Sequence, residues 1–119
     1  MKNLYTVVDS VQDGDIIQTS LKVNAAHEIY KGHFPGRPVT PGVVLMQLFK
    51  EEAERISEEK LSLKRASNVK FTAVFDPTHN DELVLESNLE KKGEYYELKG
   101  IAKSEDKIFT KINALYEVN

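Results

Sequence analysis

Residues 27–54, HEIYKGHFPGRPVTPGVVLMQLFKEEAE, constrain the fold more than any other stretch of the chain. Gly32, Gly36 and Gly42 are interleaved with Pro35, Pro38 and Pro41. Proline fixes φ and removes a backbone donor, and glycine lets a neighbour approach closely, so this segment reads as a rigid, irregular loop. Directly after it, GVVLMQLF (42–49) carries a single polar side chain, Gln47. Thr40 is suited to cap a helix there, with Pro41 as its first residue, where a missing N–H costs nothing. A helix apolar on nearly every face belongs inside a core. The loop thus delivers His33 to the N-terminal end of a buried helix, where amide groups and the macrodipole favour developing negative charge.

The remaining segments read as strands. Leu4–Val8 is β-rich, an Asp13-Gly14 turn follows, and in Ile16–Val23 the residues Ile17, Thr19, Leu21 and Val23 share one face. Beyond Phe49 the helix turns polar, keeps Ala53 and Ile56 as its apolar stripe, and should emerge towards solvent before ending near Ser57–Lys60. Val69, Phe71, Ala73 and Phe75 then alternate up to Asp76-Pro77. Leu83–Glu90 and Glu94–Lys103 flank a Lys91-Lys92-Gly93 hairpin signal, and Ile108, Thr110, Ile112, Ala114, Tyr116 and Val118 alternate to the end. One helix against about six strands implies an α+β fold, a curved antiparallel sheet wrapped around one central helix, in a single domain over residues 1–119. The open edges of such a sheet invite a second copy.

With 119 residues, 40% hydrophobic and 29% charged, the chain has the make-up of one globular domain and not of a disordered segment. A net charge of −3 lacks the basic footprint of a nucleic-acid binder. The absence of cysteine excludes disulfides, thiolate nucleophiles and thiolate metal sites. No HExxH pattern exists, since Lys31 stands four residues after His27, and there is no serine elbow or phosphate-binding GK[ST] loop. The segment MKNLYTVVDS lacks a signal-peptide core and no apolar run spans a membrane, so a cytoplasmic location without membrane partner is expected.

Gly32-His33-Phe34-Pro35-Gly36-Arg37-Pro38-Val39 followed by Pro41-Gly42-Val43 resembles the FabZ-type 3-hydroxyacyl-acyl-carrier-protein dehydratases, and Asn68–Phe71 and Asp81–Glu86 look like that family's later strands. The resemblance implies a hotdog fold and a lyase that dehydrates 3-hydroxyacyl thioesters or hydrates their products. It implies a homodimer at least, with active sites shared between subunits, a hexamer or a heterodimer with a related dehydratase being the other assemblies open. It further implies acyl carrier protein as partner and no cofactor beyond the phosphopantetheine arm that presents the substrate. One position departs: where the family has a catalytic carboxylate on the helix, fourteen residues after the histidine, this chain has Gln47.

The residues suit the chemistry. Dehydration needs a base for the acidic C–H, a proton for the departing hydroxyl, and donors for the thioester oxygen. Histidine titrates near neutrality and suits the first role, so His33 is the expected base. The amides of Gly42 and Val43 are the expected oxyanion hole. Phe34, Pro41 and Val43 are candidate substrate-binding residues. Gln47 holds a water or the substrate hydroxyl but exchanges no proton near pH 7. Glu51 lies on the same helical face, about 6 Å further along the axis, as an alternative acid or a hydrogen-bonded structural residue. His27 and His79 match no catalytic position. Lys31, Arg37 and Lys70 are candidates for steering an acidic carrier protein. Two other readings stay open, a hotdog acyl thioesterase and a non-catalytic or half-site subunit of a related dehydratase. Acyl chain length and pathway (fatty-acid, polyene, pigment or polyketide synthesis) are open too.

Overall fold

The computed structural model describes residues 2–32, 34 and 36–119. Six strands and one α-helix follow in the order β1 (Tyr5–Asp13), β2 (Ile16–Val23), α1 (Gly42–Ser57), β3 (Leu61–Phe71), β4 (Glu82–Lys92), β5 (Tyr95–Ser104) and β6 (Lys107–Val118), with a short 3₁₀ turn over Glu28–Tyr30. The strands form one antiparallel sheet in the order β1-β2-β4-β5-β6-β3. Two-residue loops close the β1–β2, β4–β5 and β5–β6 hairpins, and Gly14 and Gly93 supply the positive φ that such tight turns require (φ 62° and 66°).

Strand alternation explains the core. Leu21 and Val23 of β2, Leu83 and Leu85 of β4, Leu98 and Ala102 of β5, and Ile112, Ala114 and Tyr116 of β6 are all buried, on the face that meets α1. The helix answers with Val44, Leu45, Leu48, Phe49 and Ala53. Each fully buried Leu or Phe contributes roughly 1.5–3 kcal/mol, so this seam between helix and sheet is the principal source of stability. The backbone of Gly100 on β5 lies against the Phe49 ring: a Cβ there would come within 2.5 Å of Phe49 Cε1. Glycine at this position allows the central strands and α1 to close on each other.

Several expectations need correction. The third strand runs over Leu61–Phe71, and Ala73 and Phe75 lie beyond its end. Its first eight residues, LSLKRASN, show no clean apolar alternation because β3 is a sheet edge whose side chains are mostly exposed. β1 likewise continues through polar residues to Asp13, because it forms the opposite edge. Pro41, not Thr40, occupies the N-cap position, with Gly42 as the first helical residue. The Thr40 hydroxyl is unavailable for capping because it is buried against Tyr30 Oη at 2.9 Å. Nor is the helix enclosed all round, since Val43 is 74% exposed. Its polar half is not wholly wet either. Glu52 is buried, accepts from Thr19 Oγ1, and is gripped by Arg55 at 2.8 and 2.9 Å. The helix ends at Ser57, where Glu58 takes a left-handed conformation.

Candidate functional site

The loop entering α1 is tied down at both ends. Upstream, His27 accepts from Ile29 N–H through Nδ1, which places a hydrogen on Nε2, donated to Lys2 C=O at 3.0 Å. His27 is therefore a cap for the 3₁₀ turn. That turn buries Tyr30, whose hydroxyl meets Thr40, and burial pushes the Tyr30 phenol up. Downstream, Thr40 N–H donates to Phe75 C=O at 3.1 Å. Between these anchors Phe34 and Arg37 exchange backbone hydrogen bonds, 2.9 Å each way, and Gly36 adopts φ 77° within the turn they close. His33 and Pro35 lie outside the described residues. Gly32 and Phe34 on either side of His33 are exposed.

The first turn of α1 is open to a ligand's negative charge. Val44 and Leu45 N–H donate to Pro41 C=O at 3.0 and 3.2 Å, whereas no described residue accepts from Gly42 or Val43 N–H. The turn has no side-chain cap and no acidic residue. Two amide donors at the positive end of the helix dipole thus remain unspent. Phe71, from the end of β3, packs over this spot so closely that a Cβ on Gly42 would sit 2.7 Å from its ring. Phe71 carried no functional expectation. Its proximity to Gly42 depends on β3 returning along the helix, which no local pattern reveals.

Gln47 is half-buried one turn further along. It lines a hollow of about 180 Å³ with Val43, Met46, Leu63 and Tyr116. Its Nε2 donates to Glu51 Oε2 at 3.1 Å, and Glu51 Oε1 accepts from Tyr5 Oη at 2.7 Å. Burial pushes the Glu51 carboxyl up, but the hydrogen bonds it accepts, those from Tyr5 and Gln47 among them, outweigh burial and hold it below the usual carboxylate range. Burial together with the Glu51 carboxylate drives the Tyr5 phenol well up, so it remains a donor. The Gln47–Glu51 contact was legible from i,i+4 spacing. Tyr5, 46 residues before Glu51, was not.

Of the expected site residues, the structure brings Gly42, Val43, Gln47 and Glu51 onto successive turns of one helix, with Pro41 at its start and exposed Phe34 on the loop before it. Arg37 and Lys70 border different hollows. Arg37 borders a hollow of about 640 Å³ with Phe75, His79 and Lys107, while Lys70 borders one of about 670 Å³ with Gln18, Glu86 and Lys111. Neither hollow includes Gln47 or Gly42. Among the described residues no group of acidic and histidine side chains could hold a metal ion, and no helix is long and apolar enough to cross a membrane.

A loop of this composition opening onto an uncapped helix inside a six-stranded antiparallel sheet agrees with the comparisons to known proteins. The family model described as ApeI-like, ApeI dehydratase, matches residues 9–112. The chain belongs to the ApeI-like dehydratase family. FabZ-type dehydratases are among its relatives. A protein of Lactobacillus helveticus (strain DPC 4571) named 3-hydroxyacyl-[acyl-carrier-protein] dehydratase FabZ is 31% identical over 109 residues, 85% of this chain and 72% of the relative. One of the same name from Acidovorax sp. (strain JS42) is 26% identical over 112 residues, 85% and 76% of the two chains. Among solved structures, the dehydratase heterocomplex ApeI:P from Xenorhabdus doucetiae matches with a TM-score of 0.76 at 19% identity, covering 98% of this chain and 99% of that one. The hotdog fold expected from the family resemblance is thereby the fold observed.

Proposed function

We propose that this chain dehydrates 3-hydroxyacyl thioesters, or hydrates the 2-enoyl products in reverse, with the acyl group presented on the phosphopantetheine arm of an acyl carrier protein. The observation that carries the reading is the uncapped start of α1, with Gly42 and Val43 N–H unspent, directly behind the His33 loop. The names of the FabZ relatives support the substrate class. In this scheme His33 removes the C2 proton as negative charge grows on the thioester oxygen, and the two amides donate to that oxygen. The imidazolium returns its proton to the 3-hydroxyl as the C3–O bond breaks, and water leaves. Such an oxyanion donor contributes about 3–4 kcal/mol to the transition state. No metal and no dissociable cofactor enters these steps. Phe34, Pro41 and Val43 form the approach for the acyl chain.

The functional unit in this proposal is a dimer. Val43, Leu63 and Phe71 are 74%, 45% and 51% exposed around the helix start, and β3 beside them is an unpaired edge. A second chain laid along this edge would cover all three. The Xenorhabdus doucetiae dehydratase is a heterocomplex, ApeI:P, and this favours a second reading. In that reading the partner is a related dehydratase carrying the helix carboxylate that Gln47 replaces here.

The experiment is an assay of the purified protein with 3-hydroxyacyl and 2-enoyl carrier-protein thioesters. Interconversion of the two by the protein alone, reduced about 10²–10⁴-fold in His33→Ala, is the expected result. Turnover that appears only when a glutamate-bearing relative is added would assign the half-site role. Release of free thiol with no enoyl product would replace the reading with a thioesterase. Gln47→Glu separates the first two cases further: a rise in rate by orders of magnitude marks a weakened or half-occupied site, and a loss marks the amide as part of a working mechanism.

A further inference from the structure

The amide of Gln47 is a group with two different ends, and the structure determines which end meets the site. Its nitrogen end faces Glu51 Oε2 at 3.1 Å, and the other oxygen of that carboxylate faces Tyr5 Oη at 2.7 Å. Tyr5 comes from the edge strand β1 and Glu51 from α1, so the contact also bridges helix and sheet. An ionised carboxylate only accepts. Turning the Gln47 amide over would bring Oε1 against Glu51 Oε2, two acceptors at hydrogen-bond distance with no hydrogen between them. The orientation follows from chemistry and does not depend on distinguishing O from N by shape. Among the described residues none donates to Gln47 Oε1.

We propose that Tyr5 and Glu51 are positioning residues that hold the Gln47 amide with its carbonyl oxygen towards the hollow beside Val43 and Leu63, so that Gln47 Oε1 accepts a hydrogen bond from the 3-hydroxyl O–H of the substrate. The inference rests on the dehydratase reading above and deepens it. A carboxylic acid in that position would donate to the hydroxyl oxygen. The locked amide instead takes the hydroxyl's hydrogen as acceptor, turning the oxygen lone pairs away from itself and raising their basicity towards the imidazolium of His33. Both proton movements then belong to His33: one proton leaves C2, one proton reaches the departing oxygen, and Gln47 begins and ends unchanged. Glu51 in this arrangement is not an acid, because its two oxygens are committed to accepting.

Two measurements test this. The first needs no substrate. In a ¹⁵N–¹H spectrum the Gln47 side-chain amide, identified by its loss in Gln47→Met, should show one of its two protons shifted downfield of the usual glutamine position and slowed exchange, and both features should be lost in Glu51→Ala. Solvent-like shifts in the wild type, or no change in Glu51→Ala, would overturn the lock. The second is kinetic. Glu51→Ala and the milder Tyr5→Phe should lower kcat/KM for 3-hydroxyacyl thioesters by about tenfold and by less, respectively, while inhibition by the 2-enoyl product, which lacks the hydroxyl, is unchanged. In the Gln47→Met background Glu51→Ala should cause no further loss. An undiminished loss in that background would assign Glu51 a purely structural role and overturn the proposal. If the wild type forms no enoyl product either alone or with a glutamate-bearing relative, the dehydratase reading falls, and the spectrum still decides whether the amide is locked.

Discussion

At the scale of single residues, two glycines show how much depends on atoms that are missing. Gly100 looks unremarkable in a strand, yet its absent Cβ is what admits the buried Phe49 ring. Gly100→Ala should therefore destabilise the protein by about 1–3 kcal/mol in urea unfolding, as overpacking does, and Phe49→Leu in the same chain should recover part of the loss. At Gly42 the atom that would be struck is the tip of Phe71, which is 51% exposed and free to swing. There Gly42→Ala should change stability little while displacing the ring from the helix start. Gln47 is a third case. Its identity was plain in the sequence as the residue standing where the family has an acid. What it does follows from Glu51 and Tyr5, and Tyr5 lies too far away in the chain for any spacing rule to find.

At the scale of elements, α1 departs from its amphipathic reading at both ends. Its apolar start leaves Val43 exposed, and its charged half buries Glu52. Periodicity counts charges as outward, but Glu52 pairs with Arg55 and accepts a hydrogen bond from Thr19 of β2, and Arg55 reaches on to Ser10 of β1 at 3.0 Å. The network ties the end of the helix to the outer hairpin. Arg55→Ala should cost about 1–3 kcal/mol in urea unfolding, the usual penalty for stripping a buried group of its partner. Because the Arg55 side chain is 39% exposed, water replaces part of the contact and the lower half of that range is expected. Glu52→Gln with Arg55 intact should cost less, since no unpaired charge remains in the core. The edge strands β1 and β3 were the elements least legible in sequence. Exposed at nearly every residue, they carry little of the apolar alternation by which buried strands are recognised.

At the scale of the whole molecule, three carboxylates make the fold sensitive to acid. Glu51 is held low by the hydrogen bonds described above, Glu86 by Lys103 first and by Gln18, and Asp76 by the hydroxyl and then the amide of Thr78. A carboxyl whose folded pKa lies below its unfolded value stabilises the fold above the unfolded pKa and loses that contribution as pH falls through the folded one. The melting temperature should accordingly be flat from about pH 7 to pH 5 and fall steadily below about pH 4. Glu51→Gln should make that fall shallower in a thermal-melt series. Assembly belongs to this scale too. If a second chain covers the helix start along β3, Leu63→Asp should shift the sedimentation coefficient towards the monomer without loss of the folded circular-dichroism signal. A dimer that survives the charge would place the contact elsewhere.

Sequence by itself determined what local chemistry can encode: a proline-rich loop running into an apolar helix, two strands (β2 and β6) whose buried faces alternate, tight turns at Gly14 and Gly93, and an amide where an acid was expected. Tertiary structure decided which groups meet: Phe71 over Gly42, Phe49 against Gly100, Thr40 turned from capping to Tyr30, and Tyr5 behind Glu51 behind Gln47. Apart from the i,i+4 pair Gln47–Glu51 and the loop pair Tyr30–Thr40, these contacts join residues brought together by strand order and helix docking, and free energy from such long-range contacts leaves no periodic trace in the chain that forms them.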